Sequence, residues 1–86
     1  MITPEDKNAF IEILGAYYTS KVKPVLIKNS IKDAKGNTHS ASMIINVMNG
    51  LPFLPIEVAI IEAVEIEKKK AAILKRKKDK LLKSAS

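Results

Sequence analysis

The chain contains no cysteine and no tryptophan, and it has only one histidine and three glycines. Without cysteine it can form neither a disulfide framework nor a thiolate metal site, and a single histidine argues against structural zinc. A phosphate-binding loop is missing as well, because DAKGN lacks the Gly-Lys-Ser/Thr ending of a P-loop. We therefore expect no metal ion and no cofactor.

Long apolar runs are absent too. They reach only four residues, as in Val58-Ala59-Ile60-Ile61, whereas a helix that spans a bilayer needs roughly 20. The residues after Met1, ITPEDKN, do not show the basic and then apolar pattern of a secretory signal. These features predict a cytoplasmic protein with no membrane partner.

Groupings of catalytic residues are not evident. The acidic side chains fall mostly on predicted helix surfaces, and the sequence suggests no Ser/His/Asp or paired-carboxylate arrangement. We predict that the protein is not an enzyme and that it takes no small-molecule substrate.

Charge is distributed unevenly along the chain. Residues 1–18 carry a net −2, residues 19–50 carry +4, residues 51–67 carry −4 and residues 68–86 carry +8, which gives +6 in total. Such asymmetry is typical of a protein that binds a polyanion, most often nucleic acid. The alternative is a solvated, lysine-rich helix that maintains solubility. The change in composition predicts a helical domain over residues 1–67 and a basic C-terminal helical extension over residues 68–86.

The first fifty residues predict two helices before the middle of the chain. Thr3 and Pro4 predict the start of the first, as N-cap and first helical residue. A second helix is predicted to be capped by Thr19 or Ser20, because Pro24 is tolerated only within a first turn. The turn DAKGN, residues 33–37, is predicted to end it. Apolar residues at helical spacing predict one core-facing stripe on the first helix: Phe10, Ile13, Leu14 and Tyr17.

The stretch THSASMIINVMNG predicts a short third helix, capped by Ser40 and closed by Asn49-Gly50. About nine residues are too few to stay helical alone in water, so packing must fix this helix. Its inward face is predicted to hold Ile44, Val47 and Met48. Its outward side carries small or amide-bearing residues and no acid: Ala41, Ser42, Ile45, Asn46 and Asn49.

The connector LPFLP is predicted to fill the core with Phe53 and Leu54, and Pro55 is predicted to begin the last helix. That helix extends for almost thirty residues, with an apolar first half and a lysine-rich second half. A homodimer through the C-terminal helix is one option, because four residues share a heptad position: Ile60, Glu67, Leu74 and Leu81.

A short helix with small outward residues and no acid is suited to the major groove of DNA, which is about 12 Å wide. Asn46 could read adenine in bidentate fashion, Ser42 could reach a base edge or a phosphate, and Ile45 could lie against a thymine methyl group. Lysines of the preceding helix and loop could bind phosphates, which positions a protein on DNA without reading sequence.

The segment HSASMIINVMNG resembles the recognition helix of phage-repressor and Cro-like (XRE-type) helix-turn-helix proteins. Those commonly read Ser-x-x-x-Ile-x-x-(aromatic or Val)-x-Asn-Gly, and five residues fall in step: Ser40, Ile44, Val47, Asn49 and Gly50. The resemblance implies that the outward residues face DNA and that Asn49 supports the helix end or approaches a phosphate. The connection IKDAKGNT is longer than the family's tight turn, and the outward face has no Arg or Gln.

Together these features predict an all-α fold: a compact helix-turn-helix head of three to four helices with a long basic C-terminal helix. The expected function is sequence-specific binding of duplex DNA by a small transcriptional regulator of phage or mobile-element type, associated with the nucleoid. The expected base-reading residues are Ala41, Ser42, Ile45 and Asn46. The expected phosphate contacts are Lys28, Lys32, Lys35, His39, Asn49, Lys68, Lys69, Lys75, Arg76, Lys77 and Lys78.

Three alternatives stay open at this point. The first is a non-enzymatic structural or assembly protein that self-associates or binds a protein partner through its long C-terminal helix. The second is nonspecific nucleic-acid binding by the tail alone, which would be electrostatic because the tail has no aromatic residue for base stacking. The third is association of a basic amphipathic helix with a membrane surface, which the lack of Trp and Phe in the tail disfavours.

Overall fold

The computed structural model describes the backbone of residues 1–85 and the side chains of residues 1–82. This part of the chain forms four helices and no strand: α1 Pro4–Leu14, α2 Tyr18–Lys28, α3 Ala41–Met48 and α4 Leu54–Ala85. The predicted all-α fold with a long C-terminal helix is confirmed.

α1 begins as predicted. The Thr3 side chain accepts a hydrogen bond from the Asp6 N–H at 3.1 Å, and the Asp6 carboxylate accepts one from the Thr3 N–H at 3.2 Å, which is a reciprocal capping box. The helix ends where Gly15 takes a φ of +89°. Tyr17 therefore leaves the helical stripe and is 84% exposed. The prediction that Tyr17 faces the core is wrong; Tyr18 packs there instead.

α2 begins earlier than predicted. Its N-cap residue is Tyr17, which makes no side-chain cap. The predicted caps Thr19 and Ser20 lie inside the first turn, where Ser20 Oγ donates to the Tyr17 carbonyl at 2.7 Å. Pro24 consequently lies in the helix interior, without an N–H for the carbonyl four residues back. The prediction for Pro24 is wrong because the break at Gly15 is followed almost at once by a new helix.

The end of α2 uses a left-handed residue that is not glycine. Ser30 has a φ of +56°. The N–H groups of Ser30 and Ile31 donate to the carbonyls of Ile27 and Leu26 at 3.1 Å and 2.9 Å, respectively. This pair of hydrogen bonds is a Schellman motif, and it places a side chain in a region that favours glycine.

The first half of α4 is the centre of the core. Its buried apolar residues are Ile56, Ala59, Ile60, Ala63 and Val64. They pack with one residue of α1 and three of α2: Leu14, Val22, Val25 and Leu26. Along α2, Lys21 pairs with Glu67 at 3.5 Å and Asn29 donates to Glu62 at 3.0 Å. α2 therefore runs antiparallel to α4.

The start of α4 differs from the prediction by one residue. α4 begins at Leu54 rather than Pro55, and Leu54 is 71% exposed. Two residues later Ile56 is buried, and about 200° of helical rotation separates the two side chains. The prediction that Leu54 fills the core is therefore wrong, whereas Phe53 packs against the core as predicted.

The second half of α4 projects from the head, which is the part formed by α1, α2, α3 and the first half of α4. Glu67 is half-buried, and every side chain described from Lys68 to Leu82 is exposed. The radius of gyration is 15.6 Å and the longest dimension 56 Å, whereas a compact domain of 86 residues has a radius of about 12 Å. One continuous helix therefore contributes both to the packed head and to the exposed projection. Among the described residues, no helix has the length and apolar character needed to cross a bilayer.

Candidate nucleic-acid interface

α3 is fixed at both ends by hydrogen bonds from its own sequence. The Ser40 side chain accepts from the Met43 N–H at 3.4 Å, as an N-cap does. At the other end Gly50 takes a φ of +110°, and the Leu51 N–H donates to the Asn46 carbonyl at 3.0 Å. The predicted bounds and the predicted caps of this eight-residue helix are confirmed.

One side of α3 is buried and the opposite side is exposed. The buried residues, each 0% exposed, are Ile44, Val47 and Met48. At about 100° per residue, Ser42 and Asn46 lie on the opposite side and Ile45 lies at its edge; all three are exposed. Ala41, predicted to share the outward side, is half-buried. The predicted core side of α3 is confirmed, and so is the exposure of the outward residues with the exception of Ala41.

The exposed side of α3 offers hydroxyl, amide and methyl groups but no ion. The Ser42 hydroxyl both donates and accepts hydrogen bonds, and the Asn46 amide places a donor beside an acceptor. That amide pattern matches the adenine edge in the major groove. Ile45, 40% exposed, supplies an apolar contact. α3 contains no acidic residue, so it brings no carboxylate towards a phosphate.

A cation from a distant part of the chain lies at the end of this exposed side. Lys7 Nζ on α1 donates to Asn49 Oδ1 at 2.5 Å, across 42 positions of sequence. Lys7 was missed by sequence reasoning because it is the single basic residue of an acidic helix. Only the three-dimensional contact with Asn49 reveals it, and no local pattern could have done so.

The loop between α2 and α3 carries further basic residues. Lys28 ends α2, and Lys32 and Lys35 lie in the loop; all three are exposed. The Asp33 carboxylate accepts hydrogen bonds from the N–H groups of Lys35 and residue 37, each at 2.9 Å, and Gly36 takes a φ of +82°. The predicted turn is therefore present, but the prediction that it ends α2 is wrong, because α2 already ends at Lys28. The Asp33 carboxylate is directed into the turn by these hydrogen bonds. The exposed charges of the loop are therefore those of its lysines.

His39 is placed for packing. Its ring meets Phe53 edge to face, with centroids 5.3 Å apart. Its Nε2 atom is buried and has no hydrogen-bond partner in the part of the chain that the structure describes. A phosphate contact through that nitrogen is blocked in this conformation. What the geometry shows for His39 is a link between the N-cap of α3 and the connector to α4.

The basic half of α4 lies away from α3. Five residues connect the two helices, so α3 ends beside the first turn of α4. At 1.5 Å per residue, Lys68 is about 16 Å and Lys75 about 27 Å along the axis from Glu57. The structure brings one predicted contact of the tail group, Lys69, beside Lys28 at the end of α2, where both line one surface depression, whereas Lys75 and the residues after it lie farther along the helix. The tail group is Lys68, Lys69, Lys75, Arg76, Lys77 and Lys78.

No cluster of three or more His, Asp or Glu side chains in the described residues is arranged to hold a metal ion. Comparisons of the chain with protein-family models, curated proteins and solved structures found no match.

Proposed function

We propose that the protein binds duplex DNA, with α3 in the major groove and with Ser42, Ile45 and Asn46 against the base edges. The observation that carries this proposal is the exposed side of α3, which is small, polar or methyl-bearing and free of acid. A helix with its side chains is about 10–12 Å across, and the major groove is about 12 Å wide. A helix with small outward residues is therefore the kind that enters the groove.

Lysines around α3 serve as phosphate contacts in this proposal. Lys28, Lys32 and Lys35 precede the helix, and Lys7 stands at its end beside Asn49. Such contacts fix the position and orientation of a protein on the duplex, while the base edges supply the sequence preference. The projecting half of α4 adds contacts to phosphates farther along the duplex, and these raise the affinity for every sequence alike.

The biological role that fits is a small transcriptional regulator. Residues 39–50 resemble the recognition helix of phage-repressor and Cro-like regulators. In support, Ile44 and Val47 of that segment are buried, and Ser40 caps the helix. The longer connection between α2 and α3 is a difference from that family's tight turn.

A second candidate function is assembly on a protein partner through α4. It is favoured by apolar side chains on the projecting half that nothing in the described chain covers: Ile73, Leu74, Leu81 and Leu82, which are 49–71% exposed. The two functions are compatible, because assembly would use α4 and DNA reading would use α3.

Fluorescence anisotropy of the intact chain with labelled duplexes, over a salt series, tests the proposal. We expect a steep loss of affinity with salt, with a slope of about −0.9 per phosphate contact on a log–log plot. A duplex selected from a random pool is expected to bind more tightly than random duplex at every salt concentration. Steep salt dependence without sequence preference would leave only the tail as a nucleic-acid contact. The absence of binding at low salt would exclude nucleic acid and leave assembly.

A further inference from the structure

The solvent side of α4 carries an apolar stripe outside the core. Leu54, Val58 and Ile61 are 71%, 41% and 45% exposed, respectively. At about 100° per residue they share one arc, on the side opposite the buried Ile56 and Ala63. Steps of four and three residues are those of a helix–helix seam. The same steps continue along the helix through Glu65, Lys68 and Ala72.

α4 is divided into an acidic half and a basic half. Residues 54–67 hold four glutamates and no basic residue, whereas residues 68–82 hold eight basic residues and one aspartate. Three of the glutamates contact other parts of the head: Glu57, Glu62 and Glu67. Glu65 instead lies exposed on the solvent side, in line with the apolar stripe.

We propose that two copies of the chain associate through this outer face, with their α4 helices antiparallel. That orientation places the acidic half of each helix beside the basic half of the other. A parallel pair would place eight basic residues beside eight, and like charges across an interface are unfavourable. The outer face is the one open to a partner along the whole helix, because α1 and α2 cover the inner face of the acidic half.

A register centred between Ile66 and Glu67 brings the seam positions of the two helices opposite one another and pairs opposite charges at its centre. In this register Val58 faces Lys75 of the partner subunit, and Leu54 faces Asp79 of the partner subunit. Glu65 then faces Lys68 of the partner subunit, and Ile61 faces Ala72 of the partner subunit. The overlap from residue 54 to residue 79 is about 38 Å long. The interface uses no residue of α3, so this association goes beyond the reading of DNA and does not depend on it. In the dimer Lys68 and Lys75 belong to the seam, and the remaining basic residues of the tail are left for phosphates.

The inner face of the projecting half is a poorer self-interface. Its apolar residues, Ala71, Leu74 and Leu81, lie among lysines, and no glutamate is present in residues 68–82. Pairing two such faces would bring only like charges together. Charge therefore favours the outer face over the inner one.

Sedimentation equilibrium at low salt, over a range of protein concentrations, tests the charge pairing. We expect a reversible dimer for the native chain. Glu65→Lys and Lys68→Glu should each raise the dissociation constant by about tenfold or more. The double variant E65K/K68E should restore dimerisation, because it exchanges the two charges. Glu12→Lys, which makes the same charge change on an exposed residue of α1, is the matched control and should leave the dimer intact.

Two further variants test the apolar stripe and the orientation. Ile61→Glu should dissociate the dimer, while Ile27→Glu on α2, where Ile27 is 63% exposed, should not. Because the chain has no cysteine, oxidation of a mixture of I61C and A72C chains reports orientation. Disulfides between the two different chains are expected for the antiparallel pair. A monomer at every concentration, charge variants that behave like the control, or I61C–I61C disulfides as the main product would overturn the proposal.

Discussion

Lys7 and Asn49 are joined by a hydrogen bond, with Lys7 Nζ donating to Asn49 Oδ1 at 2.5 Å. The contact ties the first half of α1 to the C-terminal end of α3, across 42 residues. It places a cation at the edge of the surface formed by Ser42, Ile45 and Asn46. In the proposed complex, that cation lies where a phosphate would flank the reading helix.

Removal of the Lys7 charge is expected to weaken DNA binding. Lys7→Gln keeps a donor for Asn49 but loses the charge, so affinity should fall several-fold and the salt slope should shrink by about 0.9. Lys23→Gln on the exposed side of α2 removes the same charge away from the predicted contacts and is the control. Anisotropy titrations over a salt series measure both. Equal effects of the two substitutions would show that Lys7 contributes only net charge.

Neutralisation of the projecting half of α4 should weaken binding to all sequences alike. Glutamine at four positions, Lys75, Arg76, Lys77 and Lys78, removes phosphate contacts about 27–32 Å along the helix from Glu57. We expect a smaller salt slope and an unchanged ratio between the affinities for selected and random duplex. A changed ratio would mean that this segment takes part in sequence reading. Circular dichroism controls for loss of helix.

A residue with left-handed backbone conformation follows each of α2 and α3. We expect substitutions at these two positions to change the free energy of unfolding in opposite directions. Ser30 has a φ of +56° and Gly50 one of +110°. Ser30→Gly should raise the free energy of unfolding by roughly 0.5–1 kcal/mol, and Gly50→Ala should lower it by roughly 1–2 kcal/mol. A Cβ at Gly50 would meet the Ile2 carbonyl oxygen at an ordinary 3.6 Å, so its cost is conformational. Chemical denaturation measures both changes; changes of the same sign would refute this account of the helix ends.

α3 was predictable because every signal for it is local. Ser40, the apolar spacing of Ile44 and Val47, and Gly50 lie within eleven residues, and the cap, the buried face and the terminator follow from standard helix chemistry. The two sides of the helix follow from the same spacing. The residues of the candidate site could therefore be predicted from the sequence, whereas the residues that surround it in the fold could not.

The errors came where neighbouring elements compete for residues. Tyr17 fits the apolar spacing of α1, but Gly15 ends that helix first. Pro24 fits the first turn of a helix, yet α2 begins at Tyr18, soon after the break at Gly15, and the proline lies in the helix interior. Lys7 could not be identified at all, because its contact with Asn49 depends on where the whole fold places α1 relative to the end of α3.

The partly buried phenol of Tyr18 leads us to expect a fall in stability at alkaline pH. Burial raises the pKa of its phenol above the ordinary value of 10.0, so the folded chain holds the proton more tightly than the unfolded chain. This contribution to stability is fully present below pH 10 and is lost as the pH rises through the folded pKa. Between about pH 9 and pH 11, the unfolding free energy of Tyr18→Phe should therefore fall less than that of the native chain.

Tyr17→Phe is the control for that comparison, because Tyr17 is 84% exposed. Its stability should follow the native chain across the same alkaline range. Denaturant titrations at each pH provide the comparison. Parallel curves for the native chain and Tyr18→Phe would contradict a role for the buried phenol.

The central claim is that the outward side of α3 reads DNA sequence, and selection from a random duplex library tests it most directly. The native chain should enrich a motif, and Asn46→Ala should lose the preference at one or two of its positions, a cost of about 1–3 kcal/mol at each. Asn8→Ala, a matched change on an exposed residue of α1, should enrich the native motif. No enriched motif, or the same motif with and without Asn46, would contradict the claim.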